Sequence, residues 1–320
     1  MGNFLTRLYA EPSLVGDPAV RRGRAPELKP CDGRLKYHVP GKTVKRYGQD
    51  NSETIDYQFN SAGYRSEEYR HEAAFRLCVI GESHALGIGV PFEQTFGYKL
   101  KSLIANALGL QTDDVNLINL AIGGGSADYC VRTIYRQLPK LAVDFVVWIV
   151  PPPDRTEFES GGKWFSSFVV GSADVNNLDQ LPADVLGFIE YYSSFVGKMN
   201  RVKNMLLTQS FLKSQDIEYV MAVEIMPDIG DGTDALDPFL AELDEDRLLR
   251  HSFFMQRADF AADDKHAGPR THAALAIQLF HHFGCLLRSR GFADLADAAE
   301  TEALRLMTED DDFRHCTKFA

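Results

Sequence analysis

The sequence predicts an α/β chain built on a mostly parallel sheet with helices wound over both faces. Three observations predict it: short apolar runs at Leu77–Ile80, Val115–Leu120 and Phe145–Val150, helical apolar spacing between them, and glycine or proline breaks at their ends. A strand that is apolar on both faces is one covered on both faces, as parallel strands with crossover helices are.

Taken in order, residues 1–70 are rich in Pro, Gly, Arg and Lys and carry 12 Lys/Arg against 9 Asp/Glu. They read as an irregular N-terminal extension wrapped on the body, with a strand around Thr54–Phe59 before the polar turn Asn60–Gly63. From Phe75 the pattern becomes strand, loop, helix: the run ending in Ile80 meets Gly81, and Thr95–Leu108 has helical spacing. The unit repeats with a strand at Val115–Leu120, the glycine run 123–125, and a helix from Ser126, an N-cap type, to Gln137. The third strand, Phe145–Val150, stops at Pro151-Pro152-Pro153. A helical stretch follows over Pro182–Gln215, broken or bent near Gly197, and leads to a fourth strand at Glu218–Val223. Asp228–Asp246 reads as loop and short helix, and Thr271–Arg288 as the last helix packed on the sheet. The organisation expected is extension 1–70, body 71–292, and an acidic helical tail 293–320 that includes Glu309-Asp310-Asp311-Asp312.

At 320 residues and 45% hydrophobic content the chain can bury one large core. Its net charge of -11 and pI near 5.3 repel phosphate backbones, so no nucleic-acid partner is expected. The five cysteines (31, 78, 130, 285 and 316) form no C-x-x-C pair, which argues against a disulfide framework or zinc cluster and suits a reducing compartment. The first 25 residues hold no continuous apolar stretch, and Phe145–Val150 is far too short to span a bilayer. A cytoplasmic protein without a membrane span is therefore expected. The opening Met1-Gly2-Asn3-Phe4-Leu5-Thr6 fits a myristoylation pattern that is often matched by chance.

Chemistry concentrates in two places. Gly81-Glu82-Ser83-His84 falls where the first apolar strand ends, so the Ser83 hydroxyl is presented at the carboxyl edge of the sheet, where ligands of such folds bind. Asp263-Asp264-Lys265-His266 precedes the last helix, and the spacing of Asp263 and His266 lets one short loop supply a base and the carboxylate that orients it. A serine hydroxyl attacks an acyl carbon at neutral pH only if a neutral imidazole takes its proton. His266 suits that part, with Asp263 fixing its tautomer. The developing oxyanion needs preorganised N–H donors, of which the Ser83 amide is one and Gly124 the natural second.

The pieces Gly81-Glu82-Ser83, Asn119-Leu120-Ala121-Ile122-Gly123-Gly124 and Asp263-Asp264-Lys265-His266 resemble blocks I, II and V of the SGNH (GDSL-like) hydrolases, in that order. The resemblance spans about Phe75 to Arg288. It implies a three-layer α/β/α flavodoxin-like fold and a metal-free, cofactor-free esterase with Ser83 as nucleophile, His266 as base, Asp263 as its partner and Gly124 as an oxyanion donor. It also implies a small-molecule or carbohydrate ester as substrate, O-acetyl groups among them. Two positions depart from the family. Glu82 replaces the usual Asp, and Pro153 stands where block III has an Asn that donates to the oxyanion. Proline cannot donate. Losing such a donor costs about 3 kcal/mol, roughly a hundredfold in rate. Arg155, with five fixed donors just past the same strand, is the candidate replacement. His84 and Asp154 are candidates for the pocket.

Three other readings compete. An acyltransferase would use the same acyl-serine with an alcohol in place of water. A non-catalytic SGNH-like binding or structural module fits the missing Asn but has no need of Ser83, Asp263 and His266 together. A nucleotide-binding protein fits the glycine run, yet neither G-x-x-x-x-G-K-[ST] nor a complete G-x-G-x-x-G is present there. His272, His281 and His282 read as ordinary helix residues.

Overall fold

The computed structural model describes residues 43–47, 54–160, 163–169, 183–192, 194–223, 235–250 and 257–309. Five strands, β3 (Phe75–Ile80), β4 (Val115–Asn119), β5 (Phe145–Val150), β8 (Glu218–Val223) and β9 (Leu248–Arg250), form one sheet in the order β4-β3-β5-β8-β9. Every pairing in it is parallel. Counting only these strands, the order is 2-1-3-4-5, which is the flavodoxin-like winding. The chain leaves β3 toward one edge, to β4, and then crosses back to β5 on its other side. That reversal makes the carboxyl ends of β3 and β5 a topological switch point, the place where such sheets open a crevice.

Helices cover both faces because the strand side chains alternate between two apolar clusters. Leu77 and Val79 enter one cluster with helices α2 (Phe96–Ala107), α7 (Pro269–Ser289) and α8 (Ala293–Glu309). Cys78 and Ile80 enter the other with α3 (Ala127–Gln137) and α5 (Ser194–Ser214). Leu77 and Val79 are fully buried, and burial of such a side chain contributes roughly 1.5–3 kcal/mol. Thr95 and Ser126 cap α2 and α3, accepting from the Tyr98 and Tyr129 amides at 3.4 and 3.1 Å.

The expected strands and the helices flanking the site form within a residue or two of their predicted limits. Three features differ. Arg155–Ser160 (β6) and Lys163–Val169 (β7) make an antiparallel hairpin beyond β5 that the apolar-run reading leaves unassigned. The edge strand β9 has 3 residues, too few for a periodicity. The helical stretch breaks at Tyr192, between α4 (Ala183–Tyr191) and α5, and not at Gly197. Gly197 lies inside α5 because the helix crosses the proline turn there: a Cβ at Gly197 would stand 2.3 Å from the Pro153 carbonyl oxygen. The glycine serves close approach, not a bend.

Of the extension, β1 (Thr43–Tyr47) and β2 (Thr54–Gln58) form a hairpin, and the segment after it is bound to the sheet edge. Ser66 Oγ donates to the Leu117 carbonyl at 3.0 Å, and the Arg70 amide to Asn116 Oδ1 at 2.9 Å. The Met1–Thr6 motif, Cys31, Cys316, Asp310–Asp312 and most of the acidic stretch before Leu236 lie outside the described residues. Among the described residues, no helix is long and apolar enough to cross a membrane, and no His/Cys/Asp/Glu group is arranged to hold a metal.

Candidate active site

Ser83 sits at the switch point because Gly81 allows the exit of β3 to press against the end of β5. A Cβ at Gly81 would lie 2.8 Å from the Ile149 carbonyl oxygen, so no larger residue fits. The chain then enters the short helix α1 (Ser83–Leu86), capped at its start by the Glu82 side chain. Asn119, at the end of β4, braces it from the side: its Nδ2 donates to the Ala85 carbonyl and its Oδ1 accepts from the Ala121 amide, both at 3.0 Å. Arg65 of the extension braces the exit, donating to the carbonyls of Leu86 at 3.0 Å, Gly87 at 2.5 Å and Val90 at 2.6 Å. Arg65 is fully buried, and its role has no local sequence signal.

The glycine turn after β4 packs on the same corner. Ile122 donates its amide to the Gly81 carbonyl at 3.3 Å, and a Cβ at Gly125 would be 3.0 Å from that oxygen. Gly124, half-buried with φ 72°, lies on this turn beside the Ser83 loop.

Glu82 is the hub. Its carboxylate is 1% exposed. One oxygen, Oε2, accepts from the Ser83 amide at 2.6 Å, from Arg155 Nη1 at 3.0 Å and from the Ser83 hydroxyl. The other, Oε1, accepts from the His84 amide at 3.0 Å. Burial alone would raise this carboxyl; the charges of His84 and Arg155 and the hydrogen bonds from Ser83 and the His84 amide overcome it and hold it at about 2. Arg155 therefore lies within one carboxylate of Ser83. It is carried there by a turn fastened from two sides: Tyr192 Oη, at the break before α5, donates to the Pro153 carbonyl at 2.9 Å, and Arg201 Nη2, in α5, to the Val150 carbonyl at 3.4 Å. Asp154, on the same turn, is exposed.

The second half of the site is the loop before α7. Asp263 Oδ2 faces His266 Nδ1 at 2.5 Å, and Asp263 Oδ1 accepts the Lys265 and His266 amides at 3.1 and 3.0 Å. Burial would raise the Asp263 carboxyl, but the hydrogen bonds from His266 and Lys265 lower it. The turn closes through Asp264 at φ 55°, a conformation that Asp tolerates. Phe260 bridges Ala267, and the Ala261 amide donates to the His266 carbonyl at 2.9 Å. Gly268 offers α7 no side-chain cap, and Asp259 supplies one from eleven residues back, accepting the Arg270 and Thr271 amides at 2.9 Å each.

The two halves meet through imidazoles. The His84 and His266 rings stand 5.1 Å apart, centroid to centroid, at 63°. His84 is 8% exposed, and burial is the main cause of its pKa falling to about 4, reinforced by His266, Arg257 and Arg155 against the pull of Glu82. His84 is thus a buried ring packed edge-on to His266. Arg257, which sequence reasoning did not single out, holds the base loop, donating to the Lys265 carbonyl. His272 is interior, its Nδ1 accepting the Phe96 amide at 3.1 Å. A cavity of about 390 Å³ lined by Ile55, Gln58, Ser66, Pro91, Phe92 and Glu93 includes none of the residues of this site.

The 2-1-3-4-5 parallel sheet thus lies between two helical layers, with Ser83 at its switch point. No family model and no curated protein matches the chain. Among solved structures it is similar to the psychrotrophic esterase EstA from Pseudoalteromonas sp., at 12% identity over 67% of this chain and 98% of that one, with a TM-score of 0.41. It is also similar to the acetyl xylan esterase Est2A from Butyrivibrio proteoclasticus, at 13% identity over 70% and 66%, TM-score 0.35. A family two carbohydrate esterase from Cellvibrio japonicus is similar at 12% identity over 76% and 71%, TM-score 0.34. At these identities and TM-scores the chemistry of this chain rests on its own residues.

Proposed function

We propose that the chain is a serine ester hydrolase that cleaves a carboxyl ester, an O-acetyl group on a carbohydrate or a small acyl ester, through an acyl-serine intermediate. The observation that carries this reading is the Asp263–His266 contact at 2.5 Å, on a loop whose imidazole packs on the residue next to Ser83. With Nδ1–H committed to Asp263, His266 keeps its Nε2 lone pair for a proton. The Ser83 hydroxyl, which rests on Glu82, turns to Nε2 and attacks the acyl carbon while its proton passes to the imidazole. Glu82 does not take that proton, since a carboxylate held at about 2 is a poor base. The oxyanion is met by the Gly124 amide, by the Ser83 amide once the carbonyl oxygen competes with Glu82 for it, and by Arg155. Collapse expels the alcohol, which takes the proton from His266, and water activated by the same imidazole releases the acid.

The test is hydrolysis of a short-chain aryl ester by the wild-type chain and by Ser83→Ala. Hydrolysis that falls to the uncatalysed rate in the variant supports the reading. Equal rates in the two contradict it. An alcohol acceptor added to the same assay separates hydrolase from acyltransferase: transfer faster than hydrolysis would favour the latter.

A further inference from the structure

We infer that Glu82 is a positioning residue that ties one arm of the Arg155 guanidinium beside Ser83, so that the charge of Arg155 replaces the donor lost to Pro153. The inference rests on the hydrolase reading above and adds a residue to it. Arg155 stands 73 positions from Glu82 in sequence, yet Nη1 meets Oε2 at 3.0 Å, on the oxygen that also receives the Ser83 amide and hydroxyl. The carboxylate is 1% exposed and the guanidinium 20% exposed, so the pair is shielded from salt and water on the Glu82 side.

An arginine side chain has several rotatable bonds and, untethered, would spread its charge over many positions. Here both ends of the tether are fixed. Glu82 is held by the caps of α1, and the backbone before Arg155 is fastened to Tyr192 and pressed against Gly197. A guanidinium is a planar fork, so fixing Nη1 fixes the direction of every other N–H. Of the remaining donors, Arg155 Nε is buried and has no hydrogen-bond partner among the described residues. A shorter Asp at position 82 would bring its carboxylate less far toward Arg155, which gives a physical reason for the Glu and Arg to occur together.

The test is a double-mutant cycle on the full chain, read as kcat and KM separately, with fluorophosphonate labelling of Ser83 followed alongside. Arg155→Ala is expected to lower kcat about a hundredfold, and Glu82→Gln about tenfold, each with KM within about twofold. Glu82→Asp should recover part of the loss, because it keeps the charge. In the Arg155→Ala background, Glu82→Gln should cost well under its tenfold effect in the wild type, since only its bonds to Ser83 and the His84 amide are left to lose. Were Glu82 only a helix cap, its effect would multiply with that of Arg155→Ala, or would appear as a lowered Tm with unchanged kcat. Either result overturns the inference while labelling at Ser83 keeps the hydrolase reading intact. No labelling at Ser83 in any variant removes that reading and this inference with it. If Glu82→Gln does not fold, Glu82→Asp is carried through the same cycle, where independent, multiplying effects overturn the inference.

Discussion

The two loops that meet at the candidate site are held in opposite ways. The nucleophile loop is built into the protein interior: Glu82, Ser83 and His84 are 1%, 7% and 8% exposed, and braces reach it from Asn119, Arg65 and Arg155. The base loop is peripheral. The side chains of His266 and Asp263 are 22% and 23% exposed, and most of their bonds come from within the loop itself. One partner is thus positioned by the whole fold and the other by a local turn. Changes at the first should cost stability together with activity, and changes at the second should cost activity alone.

The largest expected effect lies on the base loop. His266→Ala should lower kcat on the order of 10^4-fold or more while leaving Tm within a few degrees of wild type. Steady-state kinetics and a thermal melt check both halves of that statement. A collapse of Tm would show that the loop is a structural member after all.

On the nucleophile loop, Gly81→Ala should instead be a stability mutation. The added Cβ meets Ile149 O and Ala85 Cβ at 2.8 Å, and overpacking of this kind costs about 1–3 kcal/mol. Urea unfolding would measure it, and a neutral result would mean the β3 exit can shift away from β5.

Acid should separate the loops further. His84 and His272 have folded pKa values of about 4 and 3, both driven down by burial from the ordinary 6.5. For a base with a depressed folded pKa, the stabilisation is present above 6.5 and is lost as pH falls toward the folded value, because only the unfolded chain takes up the proton. Unfolding free energy should therefore drop on acidification below about pH 6.5, by about 1.4 kcal/mol per pH unit for each such histidine. His272→Phe, which keeps the stack on Phe96, should shallow that slope by half. An unchanged slope would remove His272 from the account.

The smallest effect concerns the neighbour of the dyad. Asp263→Asn should cost less than His266→Ala but still heavily, on the order of 10^3- to 10^4-fold, through loss of the correct tautomer. Asp264→Asn should leave kcat within about twofold, because Asp264 serves the turn through its φ of 55°, which Asn also accepts. If Asp264→Asn is the more harmful of the two, the dyad is assigned one residue out of register.

Much of this was legible in the chain. The runs Leu77–Ile80, Val115–Leu120 and Phe145–Val150 are rich in apolar residues, and strands β3, β4 and β5 are buried along their whole length, as strands covered on both faces are. Asp263 and His266 were legible because their partnership is local, within four residues. The β6–β7 pair has no apolar run to betray it, since it mixes Arg, Glu, Ser and Lys with its aromatics. The link between Glu82 and Arg155 is tertiary, and no spacing rule anticipates it. The same holds for Asp259, which caps α7 from outside the helix, and for Arg65, which clamps the turn after α1.

Fluorophosphonate labelling of the wild-type chain followed by peptide mapping should give a single adduct on Ser83, formed slowly or not at all in His266→Ala. An adduct on another serine, or none under conditions where the chain is folded, would contradict the hydrolase reading.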